Sequence, residues 1–209
     1  MNNIINIKEN TIRVLLLSTT NAGKLLELRA LLKDCPIQTL SPADIGLKLD
    51  VPETGSTYDA NAILKAQAYQ QASGLAALAD DTGLEVDALG GAPGLRSARF
   101  STKLGATDAD RRAKLLKVLS QYPRPWTARF RCAVAVVAPH CPVKIFWGAV
   151  EGEIIPRESG EHGFGYDRLF WIPAAGKTLA ELDMEEKNKF SHRALAVDQA
   201  IPYLLEILK

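Results

Sequence analysis

The chain has 209 residues, of which 47% are hydrophobic and 23% charged, and its formal net charge is +1. That length suits one domain or one compact two-lobed unit, with a core that needs no metal or disulfide staple. A near-zero net charge supplies no whole-molecule field for nucleic acid or an acidic membrane, so neither partner is expected and only a local basic pocket stays open.

The first ten residues, MNNIINIKEN, are polar and lack the basic-then-apolar order of a signal peptide. Residues 1–13 read as an N-terminal extension and residues 14–209 as a single domain. Val14–Leu17 is an apolar run ending in the polar turn STTNAGK, which predicts a buried strand and a loop with free backbone N–H groups. Leu25, Leu28 and Leu32 recur at helical spacing, so a helix follows. Pro36–Thr54 carries turn signals around a second strand or loop region. Asn61–Ser73, rich in Ala, Leu and Gln, predicts another helix. Leu75–Ala79 is a short apolar run that ends at Asp80-Asp81-Thr82-Gly83, and Gly90–Gly94 is a loop. Thr107 fits the cap of a helix reaching about Ser120. Phe130, Cys132, Val134 and Val136 alternate with their neighbours as a clear strand, and Val143–Val150 pairs with it as an antiparallel hairpin. Ser191 caps the last helix, which Pro202 is expected to kink or divide. Strands and helices interleave, then a hairpin follows, so the fold class is α/β with a mixed sheet.

Cys35, Cys132 and Cys141 are odd in number and form no C-x-x-C pair, which speaks against a disulfide framework or zinc cluster and for a reducing compartment. No apolar run approaches the ~18 residues of a membrane span. A cytoplasmic protein is expected.

Two segments approach a phosphate-binding P-loop and miss it. WIPAAGKT begins with Trp171 where the motif needs Gly, and Gly23-Lys24 is followed by Leu25, which has no hydroxyl. Each can still offer a Lys and open N–H groups to an anion. The densest cluster is Ala79–Asp87. Adjacent carboxylates closing an apolar strand are costly unless they meet a cation or solvent. In a strand they point to opposite faces, so one can face a metal. Mg²⁺ favours hard oxygens, commonly one or two carboxylates plus substrate phosphates, and Glu53 could supply another. A capped turn with a solvated acidic pair is the alternative. Asn61 and Lys65 share a helix face and could meet a phosphate, or simply solvent. Gly163-Phe164-Gly165-Tyr166-Asp167 lets a backbone approach a ligand and offers a ring for stacking on a base, or is an ordinary turn. Lys187, His192 and Arg193 lie in a basic cluster, the last two in the first turn of a helix, where the dipole disfavours cations. A local rule broken in that way points to function, with a surface basic turn as the plain alternative.

Read in order, five segments resemble the inosine triphosphate pyrophosphatase family, also called XTP/dITP diphosphatases or non-standard purine NTP pyrophosphatases. They are STTNAGK (18–24), ETGSTYDANAILKA (53–66), ADDTGLEVDALGGAPGLRSARF (79–100), GFGYD (163–167) and GKTLAELDMEEKNKFSHR (176–193). The resemblance implies an elongated mixed β-sheet flanked by helices, two lobes with a central nucleotide-binding cleft, a homodimer, and Mg²⁺-dependent action on ITP, dITP and XTP. By matching position, Asp81 would be general base and metal ligand, and Glu53 the second metal ligand. Thr19, Thr20, Asn21, Ala22, Gly23 and Lys24 would form the triphosphate loop, and Thr82 a substrate contact. Phe164, Gly165, Tyr166, Asp167, Lys187, His192 and Arg193 would hold the rest of the nucleotide, with Asn61 and Lys65 assisting at the phosphates. Thr82 stands where the family usually has Ser, and Arg168 where it has Pro.

The reaction so implied splits a purine nucleoside triphosphate between the α and β phosphates, leaving a monophosphate and pyrophosphate. Donors aimed at O6 of a purine would welcome hypoxanthine and xanthine and oppose the amino group of adenine. Guanine also carries O6, so its exclusion needs a chemical block at the 2-amino group, which the sequence does not reveal. A pyrophosphatase for modified pyrimidine triphosphates and a non-enzymatic nucleotide-binding module are the rivals.

Overall fold

A computed structural model describes residues 13–208. Apart from Arg13, the expected N-terminal extension lies outside the described residues. Strand β1 (Val14–Leu17) is buried at Leu15, Leu16 and Leu17, an unbroken apolar run because both of its faces are covered. It leads into α1 (Ala22–Leu31), capped by Asn21, and then β2 (Gln38–Leu40). Helix α2 (Tyr58–Ser73) starts three residues before the expected Asn61, because the Thr57 hydroxyl caps it by accepting from Ala60 N at 3.2 Å. Gly74 ends it with φ 72°, a left-handed value that suits glycine.

Strand β3 (Ala76–Val86) carries the first correction. The acidic pair does not end the strand; it lies at the middle of eleven residues. Pairing with β5 (Trp126–Val137) runs without a break from Ala77↔Val137 to Val86↔Ala128. Each aspartate finds a cation on its own face, so the chain has no need to turn into solvent. Short β4 (Pro93–Gly94) pairs with β3, and α3 (Asp108–Leu119) begins at a full capping box of Thr107 and Asp110. The expected hairpin is present as β5 and β6 (Lys144–Ile154), followed by β7 (Phe170–Ile172) and β8 (Lys177–Thr178). Helices α4 (Met184–Phe190) and α5 (His192–Ile207) close the fold. Pro202 does not divide α5, which runs on to Ile207. Pro202 and Asp198, whose carbonyl loses its helical donor, are both exposed, so water can replace the missing bond.

The sheet order is β2-β1-β3-β5-β6-β7-β8, with β4 beside β3. β1 pairs in parallel with β2 and β3, and all other pairs are antiparallel, which gives the mixed α/β sheet. The two long central strands reach from one core to another. Ala76 and Leu78 of β3 pack with Leu15, Leu28, Val134, Val197 and Leu204. Leu84 and Val86, on the same face, pack with Leu115, Leu119, Phe130 and Phe170. Between them that face carries Asp80 and Thr82. The apolar ladder is therefore interrupted at mid-strand, where the two cores part and the cleft opens. Across the sheet, Ala79, Ala133 and Ala135 are small enough to let α2 lie close, at Ala62 and Ala66.

Candidate active site

The loop after β1 is shaped by its own polar side chains. Thr19 Oγ1 accepts from Asn21 N at 3.2 Å, and Asn21 Oδ1 accepts from Lys24 N at 3.0 Å. This ST-turn and N-cap present the first turn of α1, with its open N–H groups, to the cleft. Lys24 Nζ reaches back to Asp80 Oδ2 at 3.0 Å. Gly23 is required: a Cβ there would lie 2.4 Å from Cδ1 of Phe164, so its absence lets that ring rest on the helix start.

Asp80 and Asp81 divide their work because neighbours in a strand face opposite ways. Asp80 is fully buried and accepts from Arg193 Nε at 3.2 Å, Arg193 Nη2 at 3.0 Å and Thr82 Oγ1 at 2.9 Å. Burial opposes its ionisation, but the charges of Lys24, Arg193 and Lys65 overcome that and hold the carboxyl well below the usual range. Asp81 faces α2. Its Oδ2 accepts from Asn61 Nδ2 at 3.1 Å, and its Oδ1 lies 3.4 Å from Lys65 Nζ. Here burial outweighs Lys65 and Lys24, and the pKa is raised, with the negative charge of Glu53 adding to the rise. A carboxylate of raised pKa in a cleft is a better proton acceptor than a solvated one.

Glu53 comes from a separate loop and meets the same ammonium, with Oε1 2.8 Å from Lys65 Nζ. Its side chain is 26% exposed against 10% for Asp81. Burial is accordingly overcome by Lys65, Lys24 and Arg99, and its pKa is lowered. Asn61 joins this loop to Asp81, since its Oδ1 accepts from Gly55 N at 2.8 Å. Two hard carboxylates thus converge on one point that already holds a cation. Among the described residues no group of three or more His, Cys, Asp or Glu could enclose a metal ion. Two carboxylates plus oxygens from substrate and water is the usual way of holding Mg²⁺, so the donor set fits that ion.

The rings of Phe130, Phe164 and His192 also line the cleft. His192 stacks on Phe130, ring centroids 4.7 Å apart and planes inclined by 13°. Neither ring nitrogen of His192 has a partner, although the residue is buried and lines the cleft. Burial, aided by Arg193 and Lys187, drives its pKa well below 6.5, so the imidazole is neutral. Phe164 lies over two cations, 5.4 Å from Lys187 Nζ and 5.7 Å from the guanidinium carbon of Arg193. Ser191 caps α5 as expected, accepting from Ala194 N at 3.1 Å, and sets His192 and Arg193 in its first turn. Cations are tolerated at that helix start because carboxylates surround them. Arg193 binds Glu27 as well as Asp80, and Lys187 Nζ lies 2.6 Å from both Glu27 and Asp167.

Of the expected site residues, Asn21, Lys24, Glu53, Asp81, Thr82, Phe164, Gly165, Tyr166, Asp167, His192 and Arg193 line one cleft. Others stand behind it or beside it. Lys187 is buried beneath Phe164, and Thr19 shapes the loop from within. Asn61 and Lys65 spend their polar atoms on Asp81, Gly55 and Glu53, so in this structure their partners are carboxylates and backbone. Thr20 and Ala22 sit at the exposed start of α1. Tyr166 donates its hydroxyl to Ser97 O at 2.9 Å, and Asp167 accepts from Phe164 N at 2.9 Å, so both hold the loop that carries Phe164. Three contributors were not anticipated from the sequence. Glu27 is buried between Arg193 and Lys187, and an acid inside the apolar stripe of α1 was the available signal. Asp108 and Arg111 line the cleft from the first turn of α3, and only their spacing of three could have drawn notice. Arg168, out of pattern at the loop exit, sits 3.7 Å from Glu158.

Fold and site together define an α/β protein built for an elongated ligand with an anionic head and a flat, largely apolar tail. The chain belongs to the Ham1 family, whose profile matches residues 15–203. It is 47% identical over 191 residues to a protein of Desulforamulus reducens named dITP/XTP pyrophosphatase, covering 91% of this chain and 94% of that one. A protein of the same name from Geobacillus kaustophilus is 45% identical over 184 residues, 88% of this chain and 90% of the other. Among solved structures, a HAM1 protein from Coxiella burnetii superposes with a TM-score of 0.82 at 39% identity, covering 93% of this chain and all (100%) of that one. The Staphylococcus aureus Ham1 protein superposes with a TM-score of 0.80 at 36% identity, covering 93% and 99%.

Proposed function

We propose that this protein hydrolyses dITP, ITP and XTP between the α and β phosphates, giving the nucleoside monophosphate and pyrophosphate and so clearing non-standard purines from the nucleotide pool. The observation that carries the reading is the convergence of Glu53 and Asp81 on Lys65 in a cleft that Phe130, Phe164 and His192 also line. The name dITP/XTP pyrophosphatase, borne by relatives 45–47% identical, supports the choice of substrate.

Glu53 and Asp81 would hold Mg²⁺, which supplies charge neutralisation for the phosphate oxygens. The protein's own groups do the positioning. Lys24 and the N–H groups opening α1 take the tail of the triphosphate, where positive charge is already concentrated. Lys65 balances the carboxylates and the developing charge beside them. Asp81, oriented by Asn61, accepts a proton from the attacking water. Phe164 offers a ring face to the purine, and His192, neutral with both nitrogens free, can donate to O6 through whichever nitrogen carries the proton. Most of the rate enhancement on this reading is orientation and electrostatics. A homodimer in the cytoplasm completes the proposal. All three cysteines are free, in keeping with a reducing compartment, and no helix among the described residues is long and apolar enough to cross a membrane.

The test is direct. Wild type and Asp81→Asn are incubated with ITP and Mg²⁺ and assayed for IMP and pyrophosphate. Wild type is expected to release both and the variant neither at a comparable rate. Equal turnover by the two would remove Asp81 from its role, and release of IDP with orthophosphate would place the cut at the wrong bond.

A further inference from the structure

One wall of the cleft has no role in the reading above. Arg111, in the first turn of α3, lines the cleft together with Asp108, Leu95, Ser97 and Ala98. Strand β3 fixes how far along the cleft this wall lies. Ser97 Oγ accepts from Leu84 N at 2.9 Å, and Leu84 lies three residues past Asp81, about 10 Å at the rise of a strand. Arg99 at one edge of this wall ion-pairs with Glu53 at 3.3 Å, while Leu84 at the other pairs with Phe130, on which His192 stacks; Asp108, bonded to Gly165 N, sets Arg111 on the side of Phe164 and His192. Arg111 is also held in place. Its Nη1 donates to Ala98 O at 3.1 Å and to Ala106 O at 2.9 Å, and its Nη2 donates to the Asp108 carboxylate. Asp108 is occupied in turn, its other oxygen accepting from Gly165 N at 2.7 Å. A guanidinium has five N–H donors and no acceptor. Three are used by these partners, and the remaining two belong to a side chain that lines the cleft and is only 19% exposed.

We propose that Arg111 is a specificity-determining residue that reads the substituent at C2 of the purine. The inference rests on the purine triphosphate reading. Xanthine carries an oxygen at C2, hypoxanthine a hydrogen, and guanine an amino group. A fixed, donor-only side chain pairs with the oxygen, is left with one unpaired donor against the hydrogen, and meets the amino group donor to donor, so that the order of preference is xanthine, hypoxanthine, guanine. Oxygen and amino groups are too alike in size for a steric gate to separate them. A pre-set donor separates them chemically, because the wrong base leaves polar groups desolvated and unpaired. This is the block against guanine that the sequence did not disclose.

The experiment measures Kd for XMP, IMP and GMP, and kcat/KM for XTP, ITP, dITP and GTP, on wild type, Arg111→Gln and Arg111→Lys. Wild type should favour XMP over GMP by about tenfold or more, the factor expected of one unsatisfied polar group. Gln offers an acceptor beside its donors, so Arg111→Gln should compress that preference about tenfold, while Lys, again donor-only, should restore most of it. An XMP to GMP ratio equal in wild type and Arg111→Gln, with both melting cooperatively, overturns the proposal. A wild type without preference for XMP over GMP overturns it too, and needs no variant to fold. A change confined to the ITP to dITP ratio would assign Arg111 to the sugar and likewise overturn it. Absence of pyrophosphate release from ITP by wild type would instead sink the catalytic reading, while the monophosphate affinities still decide this one.

Discussion

Asp80 and Asp81 are adjacent in sequence, yet Asp80→Asn should cost stability and Asp81→Asn should cost turnover. The side chain of Asp80 is 0% exposed and ion-paired at 3.0 Å with both Lys24 and Arg193, the latter 2% exposed. Removing one partner of a buried pair costs about 3–5 kcal/mol. Asn keeps one acceptor oxygen and Arg193 keeps Glu27, so the lower end applies, about 3 kcal/mol. In a chain of this size each kcal/mol moves Tm by about 2–4 °C, so Asp80→Asn should melt about 6–12 °C below wild type. The pKa of Asp80 is lower in the folded state than the ordinary 3.8, so its stabilisation is fully present above that value and fades as pH falls below it. The gap between wild type and variant should narrow in the same acid range. Asp81 has a raised pKa because burial penalises its charge, and Lys65 retains Glu53 when Asp81 is neutralised. Asp81→Asn should therefore melt within about 2 °C of wild type while its turnover drops about 10²- to 10⁴-fold, the worth of a general base. Thermal melts by circular dichroism and a pyrophosphate-release assay read the two effects separately. A stable Asp80→Asn beside an Asp81→Asn that melts far lower would refute the division of faces on which the site is built.

Gly23→Ala would place a Cβ 2.4 Å from the Phe164 ring and should displace it, raising KM for ITP about tenfold with a smaller change in kcat; an unaltered KM would mean the ring has no part in holding the nucleotide. Asn61→Ala strips Gly55 N and Asp81 of their shared partner and should destabilise the fold by about 1–3 kcal/mol in a urea titration while weakening activation by Mg²⁺ more than binding of ITP; an equal loss for both would make Asn61 a phosphate contact after all. His192 stays neutral in the fold but binds a proton below about 6.5 when unfolded, so stability should fall as pH drops below that value. His192→Phe should lack that share of the slope, and parallel urea curves for the two proteins would contradict the buried, unpaired imidazole.

The sequence by itself determined the elements whose signals are local. The VLLL strand, the Ser191 and Thr107 caps and the β5–β6 hairpin need only spacing and capping chemistry, which act within a few residues. The ordered blocks around Lys24, Glu53, Asp81, Phe164 and His192, which the fold gathers at one cleft, stood out for the same reason, since each is short and dense in charged, polar or aromatic side chains. Tertiary structure decided everything that depends on what lies opposite. Asp80–Gly83 reads as a turn in isolation, and becomes mid-strand only because Lys24 and Arg193 cover one aspartate and Asn61 and Lys65 the other. Glu27 meets Lys187 and Arg193 across more than 150 residues of chain, and Asp108, which holds Arg111 at the cleft, is itself held by Gly165 from 57 residues away. Charge is compensated through space rather than along the chain, so which acids are locked in fully buried ion pairs and which line the cleft is settled only when the two cores close around β3 and β5.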